Sequence, residues 1–203
     1  RLSALGIPED ELTESVALVI SAMLEKMDDM QLELEHRRTQ LEEMQNLVDV
    51  DCLAPIPNRR AFMRRLQWVI SMQDRYNNPS SIVYFDLTKF KAINDAYGHA
   101  AGDAAICHVV DILNGFKRDS DFMARLGGDE FAIILYYADE MAARRRAEQI
   151  AEKIGSTPFT FNGIELTIST AYGFHSIKKG QTAEDALHAA DQSMYAHKLS
   201  ASA

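Results

Sequence analysis

The chain has 203 residues, 47% of them hydrophobic, enough for one ordinary domain with an extension. Its net charge of −9 is uneven: residues 1–50 hold 4 basic and 12 acidic side chains, whereas the rest holds 17 and 18. A nearly neutral domain argues against a nucleic-acid surface, which needs a basic patch, and no apolar run approaches the ~20 residues of a membrane helix. Two cysteines, Cys52 and Cys107, provide no disulfide framework and fit a reducing cytoplasm, where both are expected to pack as small hydrophobes.

The first expected element is one long helix over residues 1–50. Pro8 suits its first turn, and Glu9, Asp10 and Glu11 suit the positive helix end. Apolar residues then recur at Leu12, Val16, Val19, Met23, Met27, Met30, Leu34, Leu41, Met44 and Val48, with Arg37 filling one seam position. Spacings alternate four and three except at Val19-Met23-Met27, the mark of a coiled coil with a stutter. So long a stripe exceeds what one small domain can cover. It predicts a dimeric coiled coil, the alternative being a helix packed on its own domain.

A second helix follows, with Phe62, Met63, Leu66, Val69 and Ile70 on one face. Ile82-Val83-Tyr84-Phe85 reads as a buried strand ending at Asp86. An acid at that position, before a turn into a helix, suits a metal–phosphate site: backbone N–H groups hold phosphate oxygens while the acid holds the metal. Ile106, Val109, Val110 and Leu113 mark another helix. Strands at about 121–126 and 130–137 flank Gly127-Gly128-Asp129-Glu130, a hairpin tip whose glycines are expected to take positive φ. Its adjacent carboxylates repel each other, and a cation would relieve them. With no zinc-type His/Cys spacing, hard oxygen ligands favour Mg²⁺ or Mn²⁺. A helix through Ala143, Ala147, Ile150 and Ile154, a hairpin at roughly 158–174 turning at Asn162-Gly163, and a last helix opened by Thr182-Ala183-Glu184-Asp185 complete the chain. The βαββαβ order predicts an α+β fold, an antiparallel sheet with packed helices and a ferredoxin-like core.

Four linked motifs carry a family resemblance. They are Asn58-Arg59-Arg60, Phe90-Lys91-x-Ile93-Asn94-Asp95-x-x-Gly98-His99-x-x-Gly102-Asp103, Arg125 to Phe131, and Ala190-Asp191-x-x-Met194-Tyr195. In that order and spacing they resemble the GGDEF domain of diguanylate cyclases, which shares its core with nucleotide cyclases and the polymerase palm. The resemblance implies a GGDEF domain over residues 51–203, behind a signalling helix over 1–50. It implies Mg²⁺- or Mn²⁺-dependent joining of two GTP into cyclic di-GMP plus two pyrophosphates, with two ions in each half-site.

Carried over position by position, the resemblance makes Asp86, Glu130, Asp129 and the Leu87 carbonyl metal ligands. Asp129, Glu130 and Lys91 become the catalytic groups. Backbone from Leu87 through Thr88 and Lys89 to Phe90 cradles phosphates, and Lys198 adds positive charge. Asn94 and Asp103 become guanine readers, which suits guanine's paired N–H donors better than adenine. Asp95 and His99 are expected to brace the turn. Arg118-Asp119-Ser120-Asp121 matches the family's inhibitory site, with Arg118 and Asp121 binding cyclic di-GMP. Because each domain holds one GTP, a homodimer through the first helix is expected. Thr88 stands where the family commonly has Asp, and Leu199-Ser200-Ala201 follows Lys198 where Gly-Arg-Asn is usual, so one phosphate-binding arginine is missing. The alternative implied is a catalytically silent domain that binds cyclic di-GMP or GTP.

Overall fold

A computed structural model describes residues 13–76 and 78–201. The chain divides into two compact units, residues 1–48 and 49–203. In the first unit, α1 (Glu14–Asp49) is one uninterrupted helix. Val16, Val19, Met23, Met27, Met30 and Leu34 are all exposed along it. Pro8 through Leu12, where the helix start is expected, lie outside the described residues.

The second unit contains α2 (Arg59–Tyr76), β1 (Ser80–Thr88), α3 (Phe90–Tyr97), α4 (His99–Phe116), β2 (Phe122–Arg125) and β3 (Glu130–Tyr136). α5 (Glu140–Ser156), β4 (Phe159–Phe161), β5 (Ile164–Leu166), β6 (Ser169–Ser176) and α6 (Ala183–Ala201) follow. Four strands form one antiparallel sheet in the order β2-β3-β1-β6, as the βαββαβ reading requires. Alternation along each strand splits the core in two. Val83, Phe85, Leu87, Phe131 and Ile133 meet α4 and α5 on one face. Ile82, Tyr84, Ala132, Ile134 and Ala171 meet α2 and α6 on the other. Both faces of β1 are covered, which is why its sequence is an almost unbroken apolar run.

Backbone approaches backbone where α6 crosses β6. A Cβ on Gly173 would lie 2.0 Å from the Met194 nitrogen and 2.5 Å from the Ala190 carbonyl oxygen, so glycine alone fits there. Asn58 caps α2, its Oδ1 accepting from the N–H groups of Arg60 and Ala61 at 3.0 and 3.2 Å.

Three expectations change. The segment 158–174 is not one hairpin. Asn162 and Gly163, with φ of 48° and 79°, turn the short β4–β5 pair, and β6 instead pairs along its length with β1. Eight register partners on a buried central strand outweigh a continuation of the three-residue arm. Neither Gly127 nor Gly128 takes the positive φ expected at the tip. Cys52 and Cys107 are exposed, not packed; Cys107 follows the buried Ile106 and falls on the outer face of α4.

Candidate active site

The strand register brings two carboxylates together. Asp86, near the end of β1, is the direct cross-strand partner of Glu130, the first residue of β3. Both side chains project to the α2/α6 face, since they continue the alternation of Tyr84 and Ala132. The Lys198 ammonium, on α6, lies 2.6 Å from Asp86 Oδ1, and the Asp86 side chain is 17% exposed. A positive charge therefore already sits on this carboxylate. Lys198, expected to meet phosphate, instead contacts the carboxylate expected to be a metal ligand.

Gly127 serves Glu130 by being small: a Cβ there would come within 2.5 Å of Glu130 Oε2. Asp129 is half-buried in the turn, and its carbonyl accepts the Leu87 N–H at 3.0 Å, tying the hairpin tip to β1. Among the described residues no three Asp, Glu, His or Cys side chains converge into a group able to hold a metal ion.

Arg125 holds the tip from below. Its guanidinium donates to the Gly128 carbonyl at 2.7 and 3.3 Å and to Asp51 Oδ1 at 2.9 Å. The same Asp51 oxygen accepts the N–H groups of Leu53 and Ala54, each at 3.0 Å. The Arg125 N–H donates to the Pro57 carbonyl. Burial pushes the Asp51 carboxyl up, but the Ala54 and Leu53 N–H groups and the guanidinium outweigh it and hold it below the usual range. Sequence reasoning placed Arg125 within a motif but gave it no role, and it passed over Asp51. The only available signal was an acid and a base at the edges of two motifs.

Beyond Asp86 the chain turns sharply. Lys89 takes a left-handed conformation (φ 63°) and precedes α3, whose first turn has no side-chain cap. Uncapped N–H groups at a helix start suit an anion. The Thr88 hydroxyl is engaged with Ser169 Oγ at 2.5 Å, so what Thr88 offers toward α3 is its backbone. Lys91 is exposed and Phe90 packs against the α4/α5 core.

Asn94, on α3, meets Gly102, the neighbour of Asp103 on α4, across the corner at Gly98. A Cβ on Gly102 would lie 2.0 Å from Asn94 Oδ1, so the amide lies directly on the α4 backbone next to Asp103. That oxygen is shielded from solvent and has no hydrogen-bond partner among the described residues. Asp103 is exposed, as are Asp95 and His99.

Arg118 and Asp121 are in the turn before β2. The Asp121 carboxylate is buried and accepts the Arg118 backbone N–H at 3.1 Å, whereas the Arg118 residue is exposed. Both line a shallow cleft with Tyr137 and Arg146.

Comparison with known proteins follows the same outline. The family model of the diguanylate cyclase GGDEF domain matches residues 48–202. Diguanylate cyclase DgcP of Pseudomonas aeruginosa is 29% identical over 93% of this chain and 28% of its own length. Diguanylate cyclase TpbB of the same species is 30% identical over 96% of this chain and 45% of its own. The chain thus spans less than half of these curated relatives. Among solved structures, the coiled coil and GGDEF domain of DgcB from Caulobacter crescentus, in complex with c-di-GMP, superposes with a TM-score of 0.75. It is 25% identical, and the match covers 88% of this chain and 95% of that one. A sensory box/GGDEF family protein from C. crescentus gives a TM-score of 0.71 at 32% identity, over 75% and 99% of the two chains. On sequence and fold together, the chain belongs to the diguanylate cyclase GGDEF-domain family.

Proposed function

We propose that this chain is a diguanylate cyclase joining two GTP molecules into cyclic di-GMP. The observation that carries this reading is the Asp86–Glu130 pair, facing across β1 and β3 beside the uncapped start of α3. In each of two linked steps a ribose 3′-oxygen bonds the α-phosphorus of the other GTP. The α–β phosphoanhydride breaks, pyrophosphate leaves, and the hydroxyl proton goes to solvent or a nearby base.

Two hard carboxylates, one already in contact with an ammonium, fit Mg²⁺ or Mn²⁺, and the reading takes two ions per half-site. When bound, such an ion lowers the pKa of the attacking hydroxyl and offsets charge on the leaving group. Asp86 and Glu130 would hold the ions, with Asp129 and the Leu87 carbonyl completing the ligand set. The α3 N–H groups hold the terminal phosphates, and Lys91 and Lys198 add positive charge. Asn94 and Asp103 bind the guanine edge. Each domain has one such half-site, so a homodimer through α1 is needed, and the exposed apolar stripe supports it.

Incubation with GTP and Mg²⁺, followed by chromatography and mass analysis, tests the reading. Cyclic di-GMP from the unaltered chain and none from Glu130→Gln is the expected result. A chain that binds GTP with Mg²⁺ but releases no pyrophosphate, after clearance of bound nucleotide, would be a receptor instead.

We further infer product inhibition at Arg118, whose residue is exposed at the cleft shared with Asp121. A guanidinium fork suits phosphate and a guanine face. Arg118→Ala should abolish inhibition by added cyclic di-GMP and leave the initial rate intact; an unchanged inhibition curve refutes it.

A further inference from the structure

One polar side chain outside the assigned site is buried beside the carboxylate pair. Tyr84, 4% exposed, is two residues before Asp86 on β1 and so projects to the same α2/α6 face. Its direct cross-strand neighbours are Ala132 on β3 and Gly173 on β6. Its diagonal neighbour on β3 is Glu130, the partner of Asp86. Diagonal Cα atoms lie about 7–8 Å apart, a gap that a phenol and a glutamate side chain together span.

From that place the Tyr84 hydroxyl is within reach of the Glu130 carboxylate, and Asp191 of α6 and Arg59 of α2 are close enough to act on it electrostatically. Arg59, Tyr84, His188 and Asp191 line one cleft at this end of the face. Burial first, and then the Glu130 charge, push the phenol far above its ordinary range. On the other side, Gly127 leaves Glu130 Oε2 its space.

We propose that Tyr84 is a positioning residue for Glu130: its hydroxyl donates to the carboxylate and fixes the orientation in which Glu130 and Asp86 share a divalent cation. The proposal rests on the cyclase reading above. A metal-ligating carboxylate needs an outer hydrogen bond to hold its rotamer, and losing such a partner typically weakens binding about tenfold or more. Tyr84 would supply that bond from the buried side of the sheet.

Tyr84→Phe keeps the ring and removes the donor. In the full chain with a non-hydrolysable GTP analogue, calorimetric Mn²⁺ affinity should fall about tenfold. The Mg²⁺ concentration for half-maximal synthesis should rise to match, and kcat at saturating Mg²⁺ should return close to that of the unaltered chain. An unchanged Mn²⁺ affinity in a folded variant overturns the proposal, because a merely structural tyrosine would move the thermal midpoint alone.

A variant that fails to fold leaves a second measurement, on the unaltered chain with ¹³C-labelled tyrosine. The Tyr84 ring carbon bearing the hydroxyl should shift when Mg²⁺ and the analogue are added, and a static resonance overturns the idea equally. An unaltered chain that binds no Mn²⁺ with the analogue and makes no cyclic di-GMP removes the cyclase reading itself, independently of any variant.

Discussion

Asn94 and Gly102 act as one unit although they lie on different helices. The amide rests where the Gly102 side chain would be, so any Cβ there displaces it. Helix propensity favours alanine over glycine by about 1 kcal/mol, and Asn94 is free to rotate away. Gly102→Ala should therefore leave the thermal midpoint nearly unchanged and raise KM for GTP roughly tenfold, the cost of one lost hydrogen bond to the base. Steady-state kinetics beside a melting curve checks this; a falling midpoint with KM unmoved would give Gly102 a packing role only. At this scale the motifs disclosed which residues matter more readily than why. Asn94 and Gly102 both stand in one motif, yet their contact depends on the α3–α4 corner. Tyr84 lies within an apolar run, where a tyrosine with an engaged hydroxyl reads the same as one that only fills space.

Between elements, a half-shielded polar linkage joins the segment before α2 to the tip of the β2–β3 hairpin. Asp51 and Arg125 are 15% and 12% exposed, so their ion pair is only lightly screened by solvent. Asp51→Asn should cost about 2 kcal/mol, because the guanidinium loses its charged partner while the Leu53 and Ala54 N–H groups keep an acceptor. The Asp51 carboxyl titrates below its unfolded value, so its contribution is present in full above the ordinary carboxylate pKa. It fades as pH falls through the lowered folded value. Denaturant melts should show the difference between the two proteins at pH 7 and its shrinkage toward pH 3; a constant difference would assign the loss to something other than charge. The order of elements and the faces of the helices were legible from apolar spacing, since burial imposes that spacing directly. The extent of β6 was not. Its alternation fits equally a hairpin with its predecessor and a long pairing with β1, and only the sheet decides between them.

At the scale of the whole molecule, residues 49–203 form a compact unit with its own two-sided core, while the apolar residues of α1 from Val16 to Leu34 in the stripe are exposed. Deleting residues 1–48 should leave a folded monomer whose specific activity rises with protein concentration, since two half-sites must then meet by diffusion. Sedimentation and initial rates over a hundredfold concentration range test it, and full activity at the lowest concentration would show that α1 is not the dimerising element. Gly173 bears on how such chains are compared. Met194, whose backbone rests on that glycine, is one helical turn before Lys198, and Lys198 reaches Asp86. The distance between a cation and a carboxylate is thus set by the absence of a methyl group on a third element. A relative carrying alanine at this position would keep every residue of the site and still hold its lysine out of place. An intact roster of site residues is therefore not proof of an intact site.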